Sequence, residues 1–119
     1  MIHKDIRIPF EIEDRRYEAV GFLDENEKFV TGDVVLARTA GENNGAVTDE
    51  DALFIKDHVR LLAAELSEYH LVTNQREPGN SRSIKIFCSH GCHDGRWWDF
   101  WNSLDRWWHS DELVVRRLP

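Results

Sequence analysis

The chain has 119 residues, of which 41% are hydrophobic and 31% are charged, and its formal net charge is −7. These values are typical of one globular domain over residues 1–119, and they exclude a disordered chain. No apolar run exceeds four residues, so we expect no membrane partner. The opening residues lack the apolar stretch of a secretory signal, so we expect a cytoplasmic protein.

The acidic surplus lies entirely in the first half of the chain. Residues 1–66 carry eight Lys or Arg against fifteen Asp or Glu, whereas residues 67–119 carry seven of each kind. Nucleic acids are bound by clustered basic side chains, and the only basic pairs here are Arg15-Arg16 and Arg116-Arg117. We therefore expect no nucleic-acid partner, and we interpret the acidic surplus as a solvated face.

The first residues predict two strands and then a short helix. Residues 6–10 alternate in polarity and residues 17–23 are compatible with a strand, while Pro9 favours an edge position. A helix then begins after Thr31, whose side chain can cap it, and ends at Gly41.

The second helix is the element that the sequence predicts most strongly. Thr48 and Asp51 resemble a capping box, and the acids at 49–51 suit the positive end of the helix dipole. Apolar residues recur at spacings of three and four along the segment, namely Ala52, Ile55, Val59, Leu62 and Leu66. The pattern predicts a helix that continues as far as Leu66.

The second half predicts further strands. Residues 69–73, 83–89 and 113–115 are strand candidates, and we expect a flexible loop at 74–82, where Pro78-Gly79 marks a turn. Taken together, the elements predict an α+β fold with an N-terminal strand pair, two helices and a mostly antiparallel C-terminal sheet.

All five tryptophans lie within twelve residues, from Trp97 to Trp108. Such a cluster has to be a core, an interface or a ligand platform, since it would aggregate if left in water. A helix would place most of these aromatic side chains on about one third of its circumference. Two strands joined near residues 102–105 would instead divide them between two faces.

We favour strands, because aromatic residues prefer pleated sheets and residues 93–95 have the sequence of a hairpin turn. One face, expected to be core, carries Trp98, Phe100 and Trp107. The other face, the candidate ligand or interface site, carries Trp97, Asp99, Trp101, Arg106 and Trp108. Indole rings on that second face could stack on sugars or attract organic cations. The same residues could equally form core packing or the seam of a homodimer.

A resemblance to known proteins rests on the second half of the chain. Its residues are Asp94-Gly95-Arg96-Trp97, Trp101-Asn102-Ser103-Leu104-Asp105, Trp108 and Asp111-Glu112-Leu113-Val114-Val115-Arg116-Arg117, with a weaker echo at Thr31-Gly32-Asp33-Val34-Val35. The pattern resembles that of small uncharacterised bacterial proteins of the integron gene-cassette type. The resemblance implies a compact accessory protein and carries over no catalytic residue.

Zinc binding is a further possibility that the sequence raises. Two sulfurs and two imidazoles, the ligand types that zinc prefers, lie within six residues, at Cys88, His90, Cys92 and His93. Four ligands from one tight turn rarely converge tetrahedrally, although a remote residue, His58, His70 or His109, could complete a site. We favour the alternative, in which Cys88 is buried on a strand and a polar hairpin follows it.

Motifs for catalysis are absent from the sequence, which has no nucleophile elbow, phosphate-binding glycine loop or His-Glu-x-x-His. We therefore expect a non-enzymatic protein without a cofactor that binds a partner or self-associates, most simply as a homodimer. A small-ligand binder with an aromatic pocket is the first alternative. A zinc-binding protein that uses the Cys88–His93 turn is the second.

Overall fold

The computed structural model describes residues 2–40, 45–89 and 96–119. Within these ranges the elements are β1 (Arg7–Ile12), β2 (Arg15–Val20), β3 (Val30–Thr31), α1 (Gly32–Thr39), α2 (Asp49–Asp57), β4 (His70–Glu77), β5 (Asn80–Cys88), β6 (Trp98–Ser103), β7 (Trp107–Trp108) and β8 (Glu112–Arg117). The predicted α+β class is confirmed, with an N-terminal strand pair and two helices.

Six strands form one sheet in the order β1-β2-β8-β4-β5-β6, and β3 pairs with β7 in a separate two-stranded sheet. Neighbours in the large sheet are antiparallel except β4 and β8, which are parallel. The sheet is therefore mostly antiparallel, as predicted. β8 comes last in the chain but lies near the centre, where it joins the β1–β2 hairpin to β4, β5 and β6.

Between the two helices the chain passes through this sheet. The parallel pairing of β4 with β8 ends at Val72 and Val114, and residues 46–47 lie between the two strands beyond that point. The Val47 N–H donates to the Val115 carbonyl at 2.9 Å, and the Val47 carbonyl accepts from the Asn74 N–H at 2.7 Å. The helices on either side of this crossing consequently cover opposite faces of the sheet.

Strand alternation divides the buried side chains into two clusters. On the face that we call the α2 face, Tyr17 and Phe87 pack in one cluster with Ile55 of α2. On the opposite face, which we call the α1 face, Ile86 packs in the other cluster with Val35 of α1. A sheet covered on both faces explains why consecutive apolar residues are buried in its central strands, at Leu71-Val72 and at Leu113–Val115.

The second helix is shorter than its periodicity predicts. α2 ends at Asp57, His58 adopts φ −126° and ψ 22°, and 3-10 turns follow at Val59–Leu61 and Ala64–Glu68. The predicted stripe is still mostly buried, since Ala52, Ile55, Leu62 and Leu66 all lie in the interior. A 3-10 turn repeats every three residues, so it satisfies the same apolar spacing as a continuous helix.

The predicted capping box does not form. Thr48 makes no side-chain capping hydrogen bond. The Asp51 carboxylate instead accepts hydrogen bonds from Tyr17 at 2.7 Å and Arg15 at 3.0 Å. Tertiary partners on the sheet have replaced the local partner that the sequence suggested.

The prediction of a flexible loop at 74–82 is also wrong, because β4 and β5 continue as a hairpin through most of this segment. The chain reverses at Pro78-Gly79, where Gly79 has φ 83°, a conformation that glycine adopts readily. This end of the hairpin is largely exposed, so its strands are polar and their composition resembles that of a loop.

Candidate functional site

The aromatic run folds as strands, as predicted, but its two strands belong to different sheets. β6 is an edge strand that pairs with β5, whereas β7 pairs with β3. Between them the Leu104 N–H donates to the Arg82 carbonyl at 2.8 Å, and the Leu104 carbonyl accepts from the Gly32 N–H at 2.9 Å. The alternation of faces along β6 therefore does not continue into β7.

The predicted division into a core face and an open face is wrong for this reason. Trp98 and Trp107, expected to be core, are 37% and 58% exposed. Phe100, expected beside them, is partly exposed. Trp108, expected on the open face, is 1% exposed and belongs to the buried cluster of the α1 face.

Three of the five candidate site residues share one face of the sheet. Asp99 and Trp101 lie opposite Phe87 and Lys85 in the β5–β6 register, which places them on the α2 face. Trp97 packs against the buried cluster of that same face. The other two candidates are elsewhere, because Arg106 lies on the exposed turn after β6 and Trp108 is buried beneath α1.

Asp99 and Trp101 already hold a cation supplied by the protein. Lys85, which is largely buried, places its Nζ 2.5 Å from Asp99 Oδ2 and 4.1 Å from the centroid of the Trp101 ring. Burial raises the pKa of Asp99, but the hydrogen bond and charge of Lys85 outweigh it and lower the pKa below its ordinary value. Lys85 therefore occupies the position beside Asp99 and Trp101 where an external cation was predicted to bind.

Trp97 is the candidate residue that borders an open cavity. A groove of about 650 Å³ is lined by Trp97 on one side and by the 3-10 segment on the other. Its apolar lining includes Val59, Leu62 and Ala63. Ligand sites are commonly concave, mostly apolar and about 300–1,000 Å³ in volume, with a few polar groups that orient the ligand.

Two arginines supply polar groups at this groove. Arg60 and Arg96 both line it and both are exposed. Among the described residues neither guanidinium makes a hydrogen bond or an ion pair. Arg106 is likewise without such a partner in the described ranges, but it does not line the groove.

A second cavity shows the contrasting situation. It measures about 320 Å³ and its lining includes Lys4, Arg7, Arg38 and Arg116. Each of these cations pairs with a carboxylate, at 2.8 Å for Lys4 and Asp24 and at 2.5 Å for Arg116 and Glu18. Three carboxylates, Glu18, Asp24 and Glu27, thus occupy the four cations, whereas the two arginines at the groove have no such partner among the described residues.

A separate cluster of titratable groups lies where β4 and β8 begin. Ligand-type atoms of His70, Asp111 and Glu112 all lie within 4.8 Å of one another. Glu112 is buried, with Oε1 accepting the His109 N–H at 2.6 Å and Oε2 3.7 Å from His70 Nδ1. Burial, together with a hydrogen bond to Asp111, raises the pKa of Glu112 to about 8.

Sequence reasoning missed most of these groups. Of the cluster formed by His70, Asp111 and Glu112, the sequence indicated only His70, as a remote zinc ligand. Parallel pairing between strands far apart in the chain leaves no turn signal in the sequence. Of the predicted metal candidates, Cys88 is buried on β5, whereas His90, Cys92 and His93 lie outside the described residues.

No family model, curated protein or solved structure matches the chain. The resemblance to proteins of the integron gene-cassette type therefore stays a prediction. In the described ranges, no helix is long and apolar enough to cross a membrane.

Proposed function

We propose that this is a non-enzymatic binding protein whose groove beside Trp97 takes a small anionic molecule with an apolar body, such as an aromatic carboxylate. The observation that carries the proposal is the pair of exposed arginines, Arg60 and Arg96, at an apolar groove where no described carboxylate neutralises them. We also propose, as the composition predicts, that the protein works in the cytoplasm.

The two arginines of the groove contrast with the negative charge of the rest of the chain. In a protein with a formal net charge of −7, an anion is repelled from most of the surface. Most other arginines are engaged, as in the ion pairs of Arg15, Arg38 and Arg82 with nearby acids. Guanidinium groups bind carboxylates and phosphates through paired hydrogen bonds, so two unengaged ones at a single groove favour an anionic ligand.

The apolar lining selects the body of the ligand. Val59, Leu62 and Ala63 offer aliphatic contacts, and the Trp97 indole offers a flat surface on which an aromatic ring can stack. Trp97 also packs against the buried cluster of the α2 face, which holds the ring in place before a ligand arrives. Aromatic carboxylates combine the required charge and shape.

Calorimetric titration with 2-naphthoate tests the proposal. We expect saturable binding at one site per chain, and we expect Arg96→Ala to weaken it about 10-fold or more, the value of one charge-assisted hydrogen bond. Arg106→Ala is the matched control, because it removes an equally unpaired arginine that does not line the groove. No binding by the wild type, or equal affinity in both variants, would refute the proposal.

A second pair of variants tests the aromatic wall. Trp97→Leu removes the stacking surface, so we expect it to weaken 2-naphthoate binding. Trp107→Leu changes a tryptophan that is 58% exposed and does not line the groove, so we expect binding to be unchanged. Circular dichroism on both variants separates loss of the wall from loss of the fold.

Self-association through β6 is a second candidate function. β6 is an edge strand, and Trp98 on it is 37% exposed and stacks on Phe100 with ring centroids 4.9 Å apart. The opposite edge, β1, carries Pro9 and exposed charges, which discourage strand pairing. Of the two edges that the described residues give the six-stranded sheet, the β6 edge is therefore the one that suits a second copy of the chain.

Native mass spectrometry tests this second candidate independently of any ligand. If two β6 edges pair, the wild type is a dimer and Trp98→Glu converts it to a monomer. Trp107→Glu, which places the same charge at another exposed tryptophan, should leave the dimer intact. A monomeric wild type would exclude self-association and would leave the binding proposal untouched.

A further inference from the structure

We infer that His70, Asp111 and Glu112 form a binding site for a divalent transition metal ion, with Zn²⁺ as the preferred ion. This inference goes beyond the proposed function and is independent of it. The cluster lies at the starts of β4 and β8, and the groove residues do not contribute to it.

The arrangement of the donor atoms supports the inference. One imidazole nitrogen and two carboxylate oxygens lie within 4.8 Å of one another. Zinc accepts these donor types at about 2.0–2.2 Å, so small side-chain rotations are enough to bring all three to a common ion. The His70 N–H donates to the Asp111 carbonyl at 2.8 Å, which fixes the backbones that carry two of the ligands.

Neighbouring groups hold the ligands in position. The His109 N–H donates to Glu112 Oε1 at 2.6 Å and leaves Oε2 directed at His70. The His70 ring meets Phe100 edge to face, with centroids 6.0 Å apart. Such outer contacts orient metal ligands and strengthen binding.

The charge balance separates this cluster from the other acids of the protein. Glu18 is also buried, but Arg116 neutralises it at 2.5 Å. Among the described residues no lysine or arginine forms an ion pair with Asp111 or Glu112, and the only ion-pair contact there is His70. A cation from solution can therefore take the place of the proton that Glu112 shares with Asp111.

The strand register brings one further ligand-type residue near the cluster. Leu71 pairs with Phe87, so His70 and Cys88, the neighbouring positions, face each other across β4 and β5. Cys88 begins the segment whose cysteines and histidines have the ligand types that zinc prefers. Cys88 is therefore a further ligand-type side chain at the same end of the sheet as His70.

The choice of zinc follows from the ligand set. An imidazole suits zinc and other late transition metals better than Mg²⁺ or Ca²⁺, which prefer sites made entirely of oxygen atoms. His70 and Asp111 are partly or fully exposed, so the three protein ligands leave an open side for water. The geometry is that of an accessible site rather than a closed structural one.

Titration of the EDTA-treated full chain with ZnCl₂ in a calorimeter tests the inference. We expect one Zn²⁺ per chain, and we expect at least a 10-fold loss of affinity in both His70→Ala and Glu112→Gln. His58→Ala is the control, because its Nδ1 contacts the Phe54 carbonyl and it lies outside the cluster. Unchanged affinity in His70→Ala and Glu112→Gln would overturn the inference, as would a wild type that binds no zinc.

Thermal unfolding shows whether each variant is folded and whether zinc stabilises it. Glu112→Gln preserves the shape of the side chain and can still accept the His109 N–H, so it is the variant most certain to stay native. Zinc should raise the Tm of the wild type and of His58→Ala but not that of Glu112→Gln. An equal rise in all three proteins would place the metal elsewhere and refute this site.

Discussion

The layers that cover the two faces of the sheet are built differently. On the α1 face Trp108 and Leu104 are completely buried, and the backbone of Gly32 packs directly on Leu104. On the α2 face the covering helix stops at Asp57, and the 3-10 segment after it leaves the groove beside Trp97. Around Trp108 the α1 layer is closed by packing, whereas beside Trp97 the α2 layer is open to solvent.

This difference teaches that one aromatic run can serve two purposes. Trp108 contributes its whole side chain to the core of the α1 face, whereas Trp97 is only partly buried and keeps a surface toward the groove. Binding sites tend to lie in the less tightly packed parts of a fold, where a ligand can still complete the packing. We therefore expect substitutions on the two faces to have effects of different kinds.

The largest effect should come from Trp108→Ala. Removing a fully buried tryptophan leaves a cavity in the α1 face, and we expect a loss of about 3–5 kcal/mol in the free energy of unfolding. Trp107→Ala, at the neighbouring exposed position, should cost less than about 1 kcal/mol. Urea denaturation measures both values, and similar losses for the two variants would contradict the contrast between them.

A smaller effect is expected at Gly32. A Cβ there would lie 2.7 Å from both Cα and the carbonyl oxygen of Leu104, which are backbone atoms that cannot rotate away. We expect Gly32→Ala to lower the free energy of unfolding by about 1–3 kcal/mol, and Gly32→Ser to lower it further. If Gly32→Ala is as stable as the wild type, the α1 layer is not as closely packed as described.

On the α2 face the corresponding test is Asp51→Asn. The Asp51 carboxylate ties α2 to the sheet through Tyr17 at 2.7 Å, Arg15 at 3.0 Å and Arg117 at 3.2 Å. We expect a loss of about 1–2 kcal/mol, with faster amide hydrogen exchange in α2 than in α1. Asp49→Asn, an exposed change in the first turn of the same helix, should leave exchange nearly unchanged.

The last prediction concerns the pH dependence of the same tether. Burial, with a hydrogen bond to Asp51, raises the pKa of Tyr17 to about 12. The folded state then holds the phenol proton more tightly than the unfolded chain, whose tyrosines titrate near about 10. The stabilisation is complete below pH 10 and is lost as the pH rises from about 10 to 12.

Absorbance at 295 nm follows this titration directly. The chain has two tyrosines, Tyr17 and Tyr69, and we expect one of the two steps to appear only near pH 12. Tyr17→Phe should remove the late step. A late step that persists in that variant would show that Tyr17 is not the protected phenol, and the description of the α2 tether would then be wrong.

Much of the fold follows from local sequence, whereas the long-range arrangement does not. Polar alternation and turn residues identify the β1–β2 pair and the strand nature of the aromatic run, because both depend on neighbours in the chain. The parallel pairing of β4 with β8 and the crossing at 46–47 depend on residues far apart in sequence. The early end of α2 is hidden because 3-10 turns share its apolar spacing.

The candidate sites show the same limit. Trp97 was identifiable from the clustering of the tryptophans, but Arg60 meets it only through the tertiary fold. Trp108 was assigned to the wrong face because β7 leaves the sheet to which β6 belongs. Glu112 gave no signal at all, since one acid among many is distinguished only by its burial.

The central position of β8 has a consequence for synthesis on the ribosome. The β1–β2 and β4–β5 hairpins leave the exit tunnel first, yet the strand that joins them consists of residues 112–117. Until those residues have been made, β2 and β4 each expose an unpaired edge to other chains. We expect nascent chains that stall before β8 to associate with one another through these edges. Synthesis of β8 therefore removes the exposed edges as well as completing the sheet.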